Sequence, residues 1–192
     1  NNINGKLFIY MGSDTPADTP SYSAAGLGGT PGTNYEKYYG QYFTVGDFNG
    51  DGYDDLIFSS KISEVFTGGS FYDSLAVLHI YNGSENFTFF KDNETKKYES
   101  RIASQPPYFY GWLYPILSGM EINGDGFHDL LIRQKDGTMR LHYGTLTGID
   151  TIPSYILTDI DTTREDIKIG LNCFNIGDVN NDGYNDFLLN FA

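Results

Sequence analysis

The chain has 192 residues, with 25 acidic against 12 basic side chains, a formal charge of −13 and a pI near 4.3. Apolar residues at 40% and aromatics at 16% suffice for a packed core, which excludes a disordered acidic tail and suits one large domain or a piece of a larger one. No run of Lys or Arg makes a basic patch, so the acidity argues against nucleic acid as a partner, and the apolar runs fall far short of the roughly 18 residues that span a bilayer.

In chain order, the first element is NGKLFIYMGS from Asn4 to Ser13. It alternates large apolar residues with others and closes on Gly-Ser, as a half-buried strand running into a turn does. Residues 14–39, rich in Pro, Gly, Ser and Thr, read as an inserted loop ahead of Tyr39-Gly40. A polar loop and apolar strand follow, GDFNGDGYDDLIF from Gly46 to Phe58, then a second insertion at 59–74 carrying Gly68-Gly69. The alternating strand returns as LHIYNGS at Leu78 to Ser84, and a third insertion, 84–108, holds Lys96-Lys97. After Tyr110-Gly111 comes MEINGDGFHDLLI from Met120 to Ile132, and then DGTMRLHYGT from Asp136 to Thr145. Asp159 to Lys168 suits a short helical turn or a strand equally. Ile169-Gly170 precedes the last copy, GDVNNDGYNDFLL from Gly177 to Leu189.

One unit therefore recurs three times along 1–192, its loops at 47–55, 121–129 and 178–186. Strand follows strand without a convincing 3.6-residue period, so the fold class is all-β with a repeat architecture. Within each loop, oxygen-bearing side chains fall on alternate positions: Asp47, Asn49, Asp51 and then Asp55; Glu121, Asn123, Asp125 and then Asp129; Asp178, Asn180, Asp182 and then Asp186. A tightly curled loop brings alternate side chains toward one point, and a hard cation takes six to eight oxygens. Gly52, Gly126 and Gly183 stand sixth in their loops, where a sharp turn aims the carbonyl of Tyr53, Phe127 or Tyr184 inward. Asp, Asn and Gly also make ordinary turns, but three copies in register with matching flanks favour a metal. An all-oxygen cage selects Ca2+ over Mg2+, and the shortage of Cys and His disfavours Zn2+. A helix-flanked calcium hand would place a Glu at the twelfth position; here stand Phe58, Ile132 and Leu189, and the last acid is ninth, directly before an apolar strand.

These loops and flanks resemble FG-GAP repeats, the blades of the calcium-binding β-propeller of integrin α-subunits and other extracellular proteins. The resemblance implies about three blades of a larger propeller, each loop joining two strands and holding one Ca2+, up to three in all. Its side-chain ligands would be the twelve named above, with the carbonyls of Tyr53, Phe127 and Tyr184. Glu121 departs from the Asp of the pattern by a methylene, which weakens or shifts that site, and the Gly-Ala-Pro element is replaced by Ser59-Ser60-Lys61 and Arg133-Gln134-Lys135. Three blades do not close a ring; the expected neighbours are further blades of the same propeller, or, less favoured, the strand at Leu7 to Tyr10 completing the blade left open at Phe187 to Phe191.

The sequons at Asn82, Asn86 and Asn93 fall within 14 residues and point to an extracellular or cell-surface glycoprotein. A lone Cys173 allows no intrachain disulfide. The functional expectation is a non-enzymatic adhesion module with structural Ca2+ and a protein or glycan partner. Tyr35, Tyr38, Tyr39 and Tyr42, and Tyr108, Phe109, Tyr110, Trp112 and Tyr114, serve either that partner or the core between blades. The alternatives are the non-catalytic propeller portion of a larger enzyme acting on polysaccharide or glycolipid, or a structural component of an extracellular assembly. The acids Asp159, Asp161, Glu165 and Asp166 read as a solvated loop, and His79, His128 and His142 as strand and loop residues, so no catalytic set is assigned.

Overall fold

A computed structural model describes residues 5–26, 35–37, 39–63, 66–67, 70–71, 75–89, 96–99, 114–115, 120–133, 139–150, 152–158 and 169–191. Every regular element among them is a strand, as the period-two alternation requires. The chain begins with an antiparallel pair, β1 (Lys6–Ile9) and β2 (Tyr22–Ala25). A five-stranded sheet follows, made of β3 (Tyr35–Lys37), β4 (Phe43–Gly46), β5 (Asp55–Ser63), β8 (Leu75–Tyr81) and β9 (Lys96–Glu99). In it β5 is central, paired with β3, β4 and β8. A small hairpin of β6 (Phe66–Thr67) and β7 (Ser70–Phe71) stands apart. The next sheet runs β10 (Tyr114–Pro115), β11 (Leu130–Arg133), β12 (Met139–His142), β13 (Tyr155–Leu157), and the last is a pair, β14 (Ile169–Gly177) with β15 (Asp186–Phe191).

This is the all-β architecture of FG-GAP-type blades: two fuller sheets flanked by two two-stranded ones. The stretches 14–39, 59–74 and 84–108 are not plain loops, because β2, β3, part of β5, β6, β7 and β9 lie in them. Residues 159–168, Asn93 and the aromatic run 108–112 lie outside the described residues. No described helix is long and apolar enough to cross a membrane.

The repeated motifs occupy repeated places. Leu56 pairs with Tyr81 in one sheet and Leu130 with His142 in the next, so the two ladders share a register. Alternation then sends each strand's residues to opposite faces, and both faces of the two fuller sheets pack on neighbouring sheets. Leu7 and Ile9 of β1 meet Phe58, Tyr39 and Tyr81. Ile57, Leu78 and Ile80 meet Leu130 and Ile132 of the following sheet. From that sheet's other face, Leu131, Met139 and Leu141 meet Phe187 and Leu189 of β15. Three apolar layers thus lie between four sheets in chain order. Tyr39 belongs to this core, settling its place between sheets; Tyr42 is half-buried.

Candidate functional site: three oxygen-lined loops

The first loop lies between β4 and β5, the second runs from the Met120–Asp129 bridge into β11, and the third lies between β14 and β15. In the first, Asp47 accepts the N–H of Asp51 on Oδ1 at 3.1 Å and that of Gly52 on Oδ2 at 2.8 Å. Asn49 Oδ1 accepts the Asp51 N–H at 3.0 Å, and Asp51 Oδ1 accepts that of Tyr53 at 2.9 Å. The third loop repeats every one of these bonds with Asp178, Asn180 and Asp182. In the second, Asn123 and Asp125 behave likewise. Glu121 reaches the same Asp125 and Gly126 N–H groups, and its extra methylene lets Oε1 accept Gly124 N–H as well, at 2.6 Å. These are turns in which short polar side chains satisfy the main chain two to five residues on.

The ninth-position acids sit deeper. Asp55 and Asp129 are buried, each carboxylate held between two N–H groups: Phe48 and Gly83 for Asp55, Ile122 and Gly144 for Asp129. Burial, reinforced by Asp51 and Asp47, pushes Asp55 up to about 6 against the donors' opposing pull; Asp129, beside Asp125 and Glu121, also rises to about 6. Asp186 is half-buried and holds one bond, from Val179 N–H at 2.9 Å. Asp178 lies on the exposed third loop, and N–H donors led by that of Gly183 lower it below the usual carboxylate range.

Adjacent loops are joined. His128 N–H donates to Asp47 O at 2.9 Å while His128 Nδ1 accepts Asp47 N–H at 2.8 Å, so one residue grips both main-chain groups of another loop's first acid. Asn185 N–H donates to Glu121 O at 3.1 Å in the equivalent place. The fourth residue of each loop has positive φ, 71° at Gly50, 77° at Gly124 and 59° at Asn181. A Cβ on Gly50 would fall 2.4 Å from the Phe127 ring, and one on Gly124 2.8 Å from Tyr184, so each glycine leaves room for the next loop's seventh-position aromatic. Sequence reading missed this fourth position, the N–H clamps of Gly83 and Gly144, and the grip of His128. The Gly three residues before the aromatic in the first two loops, Gly50 before Tyr53 and Gly124 before Phe127, was the available signal for the first.

All expected side chains except the ninth acids lie in the three loops' open turns, on oxygen donors only, with no nitrogen or sulfur ligand. That donor chemistry fits a hard cation. The side chains as they stand are folded onto the loops' own N–H groups, and among the described residues no three His, Cys, Asp or Glu side chains gather on one point. Asn82 and Asn86 are exposed where sequons need to be. His79 and His142 are buried, His79 against Ser60 Oγ at 2.8 Å and His142 Nδ1 against Asp150 O at 2.9 Å; burial lowers the His142 pKa.

Residues 40–61, which contain the first loop, match the FG-GAP repeat family. The chain carries an FG-GAP repeat and is integrin-α-like. It is 22% identical over 193 residues to integrin alpha-E of Mus musculus, an alignment covering 98% of this chain and 16% of that protein. The chain therefore spans about a sixth of the length of this curated relative.

Proposed function

We propose that the chain is a Ca2+-binding segment of an extracellular FG-GAP propeller that serves as a non-enzymatic adhesion or protein/glycan interaction module, the metal acting structurally. The observation that carries this reading is the triple repetition of one hydrogen-bonded oxygen loop, at one position in three successive sheets, two of them with buried carboxylates pushed toward neutrality chiefly by desolvation, to which the crowding of neighbouring acids adds. A divalent cation would relieve that crowding. Asp47, Asn49, Asp51, Asp55 and the Tyr53 carbonyl would hold it in the first loop; Glu121, Asn123, Asp125, Asp129 and the Phe127 carbonyl in the second; Asp178, Asn180, Asp182, Asp186 and the Tyr184 carbonyl in the third. The likeness to an integrin α-subunit supports the adhesion setting, and exposed Asn82 and Asn86 support glycosylation in the secretory pathway.

Calorimetric titration of the chelator-stripped chain with CaCl2 tests the proposal. Up to three sites and a Ca2+-dependent rise in Tm are expected. Absence of binding at millimolar Ca2+ overturns it.

A further inference from the structure

One peptide group in each of the last two loops serves two loops at once. The Phe127 carbonyl is the main-chain oxygen assigned above to the second site, and the N–H of the same peptide, carried by His128, donates to Asp47 O of the first loop at 2.9 Å. Resonance keeps a peptide planar, with C=O and N–H on opposite edges of the trans form, so its two partners do not move independently. The third loop repeats the arrangement: Tyr184 supplies the carbonyl, and the Asn185 N–H of that peptide donates to Glu121 O of the second loop at 3.1 Å. In both cases the acceptor belongs to the first acid of the preceding loop.

The first junction is the tighter one. His128 Nδ1 accepts the Asp47 N–H at 2.8 Å, and Thr145 N–H donates to Phe48 O at 3.2 Å. The amide before Thr145, Gly144 N–H, donates to Asp129 Oδ1 of the second loop at 3.0 Å. Three of the four main-chain groups of Asp47 and Phe48 thus take their positions from residues that adjoin second-loop ligands. Among the described residues, the second junction has the Asn185 bond and the Tyr184 ring beside Gly124. Two effects then link the loops. Charge drawn from a carbonyl oxygen polarises its amide and strengthens the N–H as a donor. A loop already ordered by its neighbour also has less conformational freedom left to lose on binding.

We propose that the Phe127–His128 peptide and the His128 ring couple the first two sites, so that each binds Ca2+ more tightly when the other is filled, and that the Tyr184–Asn185 peptide couples the second site to the third more weakly. Linkage makes each gain mutual. The inference rests on the Ca2+ reading of the proposed function and adds that the sites fill as an array rather than independently.

Amide NMR of the 192-residue chain during Ca2+ titration tests it, the N–H signals of Gly52, Gly126 and Gly183 reporting the three loops one by one. Asp125→Ala silences the second loop, and the first-loop midpoint should then rise about fivefold or more. Asp51→Ala should raise the second-loop midpoint by the same factor, and Asp182→Ala should raise it less. His128→Ala keeps the N–H and removes the ring, which should bring the first coupling down to the size of the second; an undiminished coupling would overturn the part assigned to the ring. A further reading leaves the second loop and His128 intact: in Asp51→Ala, filling the second loop should move the His128 N–H downfield and slow its hydrogen exchange. A first-loop midpoint indifferent to the second loop, or a loss there that Asp51→Ala does not mirror, overturns the proposal, and three sites filling independently would still leave the proposed function standing. No response at any of the three glycines at millimolar Ca2+ overturns both.

Discussion

At the scale of single residues, the carboxylates divide by what surrounds them. Asp55 and Asp129 are buried and raised to about 6, chiefly by desolvation, so in the metal-free chain the folded state binds more protons than the unfolded state between the ordinary value of 3.8 and about 6. The stability they contribute is fully present below the unfolded pKa and is lost as pH rises through about 6. Asp178 has the opposite sign: its depressed pKa favours folding above the unfolded value and loses that as pH falls. Ca2+ ligands must be ionised, so metal affinity should climb over the window in which metal-free stability declines. Carboxyl-carbon NMR titration in chelator should give midpoints near 6 for Asp55 and Asp129, and calorimetry should show weaker Ca2+ binding at pH 5 than at pH 7.5; midpoints in the ordinary Asp range would refute the burial argument. Glu121 poses a related question. A carboxylate offers about four acceptor positions, and Glu121 gives three of its contacts to N–H groups where Asp47 gives two. Glu121→Asp should therefore free a lone pair and tighten the second site, read as a higher stepwise Ca2+ affinity without loss at the other loops.

At the scale of elements, the loops act as spacers between sheets as well as oxygen donors. Gly50 combines a φ of 71° with a Phe127 ring atom 2.4 Å from where a Cβ would stand. Gly50→Ala should cost about 2–5 kcal/mol, the sum of a left-handed alanine and an overpacked contact. In a Phe127→Ala background the contact term disappears and about 1–2 kcal/mol should remain; a urea-denaturation double-mutant cycle measures the difference, and an unchanged penalty would show that the ring is not the obstacle. Much of this was legible beforehand. The D-x-N-x-D-G spacing located the turns and the sixth-position glycine because those bonds are local, two to five residues apart. The alternation in LHIYNGS and DGTMRLHYGT located β8 and β12. What sequence did not reveal acts between loops far apart in the chain: His128 against Asp47 at a separation of 81 residues, and Gly83 against Asp55 at 28. Composition misled at 14–39, 59–74 and 84–108, where Gly, Pro and Ser suggest loops, because short strands there take their order from the sheet edge they join rather than from their own residues.

For the whole molecule, repetition makes stability approximately a sum of sheets and of the layers between them, and the end sheets contribute less because one face of each is uncovered. The acidic balance fits the same picture: three Ca2+ would add six positive charges to a formal −13, concentrated where the carboxylates are crowded. Three positions in one structural register separate the energetics of burial from chemistry. Ile57 and Leu131 are both 0% exposed between sheets, and Leu188, the equivalent residue of β15, is 48% exposed. Truncation to Ala removes a comparable aliphatic group each time, so any difference in cost reports the neighbouring sheet. Ile57→Ala and Leu131→Ala should each cost about 2–5 kcal/mol, transfer plus cavity, whereas Leu188→Ala should stay within about 1 kcal/mol in dilute solution. Denaturation midpoints of the three variants make the comparison, and a Leu188→Ala penalty as large as the others would mean that its exposed position does not decide the cost.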